Sequence, residues 1–308
     1  VCIFDENYLK KLLKFYVYSC FICAFFVIAE KITGLGVLDF VYRDEFKFRI
    51  KGTFKDPNVM GPHLLFGFML IYARVVSVPF RGVALLSLAF VVFLSFSRAS
   101  IAGLIFLPVV YEALKMVKGD KASIKKNLLI FGVVVVGLIT SLVLIQSYLG
   151  SNQDNYLVSR FAMQDYDSER FISQQRALTQ FIEYPLGSGP GSSIDAFGRY
   201  ADPIDPHNVY LKVAAEQGIL GILSFVLLNC YALFSAFRAF KSNPNHQALF
   251  ASFFSMMLYL MTVGMIVDTT HWRFYYLIIG VLLGCTVTNS LCFKNNNNVD
   301  SSSIKTTT

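Results

Sequence analysis

Apolar residues in this chain come in long unbroken runs, and polar residues collect between the runs rather than alternating with them. Eight runs reach or approach the roughly 20 residues that cross a bilayer. They lie at about 12–30, 59–78, 82–97, 99–117, 128–148, 208–237, 247–267 and 273–292. The pattern predicts an all-α, polytopic integral membrane protein with about eight transmembrane helices. Four units follow: five N-terminal spans over 1–148, a long polar loop over 149–207, three spans over 208–292, and a tail over 293–308. The tail is an Asn/Ser/Thr run that cannot build a core and is expected to be disordered.

The polar loop carries a helical pattern of its own. Residues 168–183 place Phe171, Ile172, Leu178, Phe181 and Ile182 at amphipathic spacing. Asp167 or Ser168 would cap the helix and Pro185 would end it. Gly187-Ser188-Gly189-Pro190-Gly191 then reads as a flexible connection. It is no phosphate-binding fingerprint, since no strand precedes it.

Composition supports the membrane reading. The chain is 55% hydrophobic, with 30 Phe and a mean hydropathy of +0.54, which excludes an ordinary soluble domain. The net charge of +7 matters by side. Lys10, Lys11, Lys14, Arg74, Arg81, Lys115, Lys118, Lys121, Lys125, Lys126, Arg238, Lys241 and Lys294 fall on one side if the spans alternate, and that side is expected to be cytoplasmic. The long loop then faces outward. None of the six cysteines lies in it, so neither a disulfide framework nor a zinc site is indicated. Cys20-Phe21-Ile22-Cys23 has redox spacing but sits inside a span, where buried small hydrophobes are expected. The chain opens with Val and shows no signal peptide, and it reads as the C-terminal portion of a longer protein.

Chemistry gathers on the outer face. Arg49, Lys51, Arg98, Arg170, Arg176, Arg199, His207, His271 and Arg273 all fall there. Arginine is a permanent forked cation suited to phosphate oxygens, although loop arginines also stay solvated or bind anionic headgroups. Arg98 occupies a turn too short to wander. His207 stands where the polar loop meets a long apolar run, with Pro206 and Asn208 as turn and helix-start residues. That places it at the mouth of a span, as a base, as a phosphate partner, or simply as an interfacial helix-starting residue. Gly218 and Gly221 are expected to let a neighbouring helix approach. Lys212 and Glu216, four apart, can pair on one helix face. Span interiors are nearly free of charge, which argues against a lipid-linked glycan transporter. A sensor or scaffold would not require Arg98 in a pinched turn.

Four patterns occur in order: Gly52-Thr53-Phe54-Lys55-Asp56-Pro57-Asn58; Ser97-Arg98-Ala99-Ser100; Arg170 leading to Pro185-Leu186-Gly187-Ser188-Gly189; and His207-Asn208, then nine residues and Gly218-x-x-Gly221. Together, over about 50–225, they resemble the O-antigen ligase and polymerase family of bacterial membrane glycosyltransferases. The resemblance implies a multi-pass protein of the bacterial inner membrane whose periplasmic face moves a glycan from undecaprenyl diphosphate to an acceptor sugar. The acceptor is the lipid A core for a ligase and another lipid-linked repeat for an O-antigen or exopolysaccharide polymerase. It implies His207, Arg170 and Arg98 as catalytic residues. Arg49, Asn58, Asn208, Tyr210 and Arg176 stand near them as substrate-binding candidates. It implies no metal, cofactor or nucleic acid; membrane lipid is the remaining partner. The ligase-type His motif tilts the expectation toward ligase. Attack opposite the leaving group would invert the anomeric centre.

Overall fold

The structure, a computed structural model, describes residues 6–33, 50–117, 165–194 and 205–284, with single positions 119, 129, 132 and 136. Among these residues every regular element is helical. The helices are α1 (Glu6–Thr33), α2 (Pro57–Tyr72), α3 (Arg81–Leu94), α4 (Arg98–Val117), α5 (Asp165–Glu183), α6 (Val209–Ser242), α7 (Gln247–Val263) and α8 (Arg273–Gly284). Four stretches are long and apolar enough to cross a membrane: Asn7–Thr33, Arg98–Val117, Val209–Ser242 and Pro244–Val263. Helices α2, α3 and α8 occupy three more of the expected positions but are shorter. The span expected over 128–148 lies outside the described residues except for positions 129, 132 and 136.

Helix α2 is the centre. Asp56 caps it, its carboxylate accepting from the Asn58 N–H at 2.7 Å, and Pro57 opens the first turn. Fourteen of its residues are buried, including every position from Met60 to Tyr72. Apolar side chains gain little from leaving lipid, so close packing must hold such a bundle. Small residues supply it. A Cβ at Gly61 would collide with the Ser100 hydroxyl on α4, one at Gly67 with Cys20 Sγ on α1, and one at Gly103 with Leu65 and Tyr259. Cys20 and Cys23 are buried and unoxidised, as their place in a span suggests.

These contacts also fix direction. Gly61 meets Ser100, Gly103 meets Leu65, and Tyr72 meets Tyr111 and Glu112, so α2 and α4 run parallel with α3 returning between them. The Tyr259 hydroxyl donates to the Ala99 carbonyl at 3.2 Å, setting the end of α7 beside the start of α4. The Val209 N–H donates to the Gly264 carbonyl at 2.8 Å, adding the start of α6. Asp56, Arg98 and His207 therefore share one end of the bundle. At the other end Arg81 donates to the carbonyls of Ile71 and Tyr72, and the Tyr72 hydroxyl to Glu112.

Helix α5 begins at Asp165, earlier than the expected caps, and ends before Pro185 as expected. It docks on the bundle through Ser173 and Ala177, both buried, while Phe171, Ile172, Leu178 and Ile182 face outward.

Candidate functional site

The site rests on a break in α6. Gly218 has φ 68° and ψ −164°, a conformation open essentially to glycine alone. Helical geometry resumes on both sides, but the two arms are not collinear. In a straight helix Tyr210 and Phe225 would stand roughly 22 Å apart along the axis, yet their ring centroids lie 5.8 Å apart. The arm 209–217 thus folds back toward the arm 219–242. His207 is consequently separated from the spanning arm by a short helix, which corrects its expected place at the mouth of the span.

Chain from the polar loop fills the break. The Ile219 N–H donates to the Pro185 carbonyl, Ser188 N–H to Ala215, and Gly189 N–H to Glu216, at 2.8–3.0 Å. Carbonyls released by the break are satisfied in this way, as a membrane-depth interruption requires. Gly187 (φ 96°) permits the approach, since a Cβ there would stand 2.6 Å from the Glu216 oxygen. A Cβ on Gly218 would strike the backbone of Pro185, Leu186 and Gly187. The stretch expected to be a flexible connection is thus a wedge with fixed hydrogen bonds. Gly221 does not admit a neighbouring helix either: a Cβ there would meet Gln217 of its own chain. Both glycines serve the fold-back, a correction to their expected role.

The turn before α6 holds the imidazole. The Asp205 carboxylate accepts the His207 N–H at 3.0 Å across Pro206, and His207 takes the left-handed region at φ 48°. Such a φ is uncommon outside glycine, with His, Asn and Asp enriched among the exceptions. Asn208 caps α6, accepting from the N–H groups of Tyr210 and Leu211. On the facing side the Ser173 hydroxyl of α5, 2.9 Å from the Arg170 carbonyl of its own helix, also comes within 3.2 Å of the Asp205 carbonyl. Arg170, one turn earlier on α5, is thereby held close to His207. Burial, and next the Arg170 charge, push the His207 imidazole below the usual histidine range; Asp205, Asp56 and Asp268 pull the other way without prevailing. The imidazole is held neutral between a cation and three carboxylates.

Asp268, in the connection between α7 and α8, ties the arm 209–217 to the bundle. It accepts from Lys212 Nζ at 2.7 Å and from the N–H and hydroxyl of Thr270, with His271 Nδ1 at 3.7 Å. Burial pushes its carboxyl up, but the bonds from His271, Lys212 and Thr270 outweigh that and hold it well below the carboxylate range. Lys212 also reaches Asp205 at 3.5 Å. Lys212 makes its direct ion pairs with Asp268 and Asp205, and Glu216 acts on it only as a more distant charge while accepting from the Ser193 hydroxyl at 2.6 Å. Trp272 Nε1 donates to His271 Nε2 at 3.1 Å, which leaves the His271 proton on Nδ1 toward Asp268.

Beside this network opens a cavity of about 990 Å³ between α1, α2 and α8. Lys55, Asp56, His271 and Arg273 line it together with Phe54, Trp272 and Phe274, and it reaches inward to Tyr16 and His63. The Tyr16 hydroxyl lies 2.8 Å from His63 Nδ1 and 3.1 Å from the His63 carbonyl.

Of the residues expected from sequence, His207 and Arg170 are brought together. Arg98 opens α4 at the same end, after the buried Ser97 and a turn with Phe96 at φ 48°. Asn58 stands half-buried in the first turn of α2, next to Asp56. Arg176 lies on the half-exposed flank of α5. The Tyr210 hydroxyl turns inward to the Met261 carbonyl at 2.8 Å. Arg49 lies outside the described residues. Asp56 lay inside one of the quoted patterns, but neither it nor Asp205 nor Asp268 was given a role from sequence; an Asp in a turn, able to accept the N–H two residues on, was the available signal.

Residues 83–226, just under half of the chain, match the sequence model of a family described as O-Antigen ligase. The match spans α3 to the first turns beyond the Gly218 break and so includes Arg98, Arg170 and His207. No curated protein matches the chain.

Proposed function

We propose that this chain, whose residues 83–226 match the family described as O-Antigen ligase, is a membrane glycosyltransferase of the O-antigen ligase and polymerase kind that moves an undecaprenyl-diphosphate-linked glycan onto the lipid A core at the periplasmic face of the bacterial inner membrane, as a ligase without a metal. The observation that supports this most is the neutral-held imidazole of His207 beside the Arg170 guanidinium. Each has a part in the step. The acceptor hydroxyl oxygen bonds to the anomeric carbon while the bond from that carbon to the diphosphate oxygen breaks. The hydroxyl proton passes to His207, and the departing electron pair stays on the diphosphate. Negative charge therefore builds on the leaving group, where a fixed guanidinium stabilises the transition state more than the ground state. Arg170 supplies that charge, with Arg98 as the second cation. Attack from the opposite side inverts the anomeric centre.

The cavity beside Asp56 suits a saccharide. The partly exposed ring of Phe54 can stack on a sugar face, the buried Trp272 and Phe274 back the apolar wall, and Asp56, Lys55 and Arg273 offer acceptors and donors to hydroxyls.

The test is the surface polysaccharide of cells carrying His207→Asn, Arg170→Gln or Arg98→Gln, resolved on a gel, with each variant quantified in the membrane fraction. Asparagine keeps the left-handed backbone at 207 while removing the base. Bare core with accumulated lipid-linked polymer is expected, and the loss of imidazole help should cost about 10²–10⁴-fold in transfer rate. Core bearing a single repeat would identify a polymerase instead. Normal ladders in all three variants would end the proposal.

A further inference from the structure

Among the described residues, nothing covers the outward face of α5. Phe171 is 61% exposed, Leu178 45% and Ile182 70%, with Ile172 at 49%. At helical spacing these residues share one arc with Gln175 and Thr179, and the arc carries no charge. The next arc round the helix is different: Glu169, Arg176 and Glu183 follow one another along it. An apolar arc bordered by a charged one is the pattern of a helix lying in a membrane interface.

Continuity says what covers the face. The wedge that enters the α6 break carries Leu186, 82% exposed, next in sequence to Pro185, whose carbonyl accepts from the N–H of Ile219 at the start of the arm 219–242. Leu220, Leu223 and Leu227 are also exposed on that arm, part of a helix long and apolar enough to cross a membrane. Exposed apolar side chains therefore stand on both sides of this junction: Leu220, Leu223 and Leu227 on α6, Leu186 on the wedge, and Ile182, Leu178 and Phe171 on α5.

We propose that α5 is an interfacial helix whose arc Phe171–Leu178–Ile182 lies among lipid acyl chains of the leaflet that covers the His207 end of the bundle. Lipid thereby sets the height of the opposite face of α5, which carries Arg170 and Ser173 toward the His207 turn. This inference rests on the membrane reading alone and stands or falls independently of the transfer chemistry.

The test places a nitroxide at Leu178→Cys or at Glu183→Cys, on a cysteine-free full chain reconstituted one protein per lipid nanodisc. Both sites are exposed, so neither label disturbs internal packing. The label at 178 is expected to collide with oxygen, which concentrates in acyl chains, in preference to an aqueous nickel chelate. The label at 183 is expected to show the reverse preference. Equal access of the chelate to both sites would overturn the proposal. So would a label at 178 shielded from oxygen and chelate alike, which would mean that protein covers the face.

Discussion

At the scale of the residue, His207 illustrates how local backbone and surrounding charge together define a chemical group. Its left-handed φ and its bond to Asp205 fix where the ring points. Burial and Arg170 then keep it deprotonated at pH values where a free imidazole, near 6.5, would already be charged. The sign follows directly: a base with a lowered pKa stays competent as pH falls through the ordinary histidine range and is lost only below it. Removing the Arg170 charge weakens that depression. In histidine-labelled protein, the NMR signal that disappears in His207→Asn is expected to titrate below 6.5 in the parent and at higher pH in Arg170→Gln. An unchanged midpoint would separate the two residues. His207 itself was legible because a polar triplet beside a long apolar run marks a helix start. Asp268 was not, because Lys212, 56 positions away, finds it only through tertiary folding. Spacing alone favoured Glu216 for Lys212; the more buried Asp268, where water screens less, wins.

Among the elements, α6 departs furthest from its sequence. A hydrophobicity profile records an apolar run over 208–237 and cannot register a single glycine dihedral within it. The spacing of Gly218 and Gly221 was visible, but small residues in a span usually signal helix contact; here they signal a fold-back with a wedge inserted. Gly218→Ala is therefore expected to destabilise the protein by at least about 1–3 kcal/mol from the backbone alone, with further loss from collision with residues 185–187. Gly280→Ala on α8, where a Cβ meets nothing within 4 Å, is the matched control and should be neutral or slightly stabilising. Thermal unfolding of both variants in detergent checks the difference. Equal stability would mean that the break tolerates a side chain. Helix α5 shows the reverse case: its limits and its amphipathic pattern were readable to within a few residues, but which side met the bundle was not. Ser173 and Ala177 face inward because their small size lets α5 approach the 205 turn.

For the whole molecule, the all-helical membrane class and the order of helices followed from apolar run length, and the clustering at one end followed from packing that sequence does not display. The beginnings of α2, α4, α6 and α8 and the end of α7 meet there, and with them Asp56, Arg98, His207 and Asp268. Arg170 enters from a separate segment through Ser173. Several helix beginnings at one end add a positive field that favours an anionic diphosphate. Transfer as proposed requires Arg170 and His207 to be neighbours on the face opposite the lysine-rich connections. The direct measurement is cross-linking of Arg170→Cys with His207→Cys, on a cysteine-free chain in intact cells, by a short membrane-impermeant bis-thiol reagent. Rapid bridging without permeabilisation is expected, detected as a fragment pair that stays joined after proteolysis between 170 and 207. Bridging that appears only after the membrane is opened, or never appears, would contradict the proposed transfer.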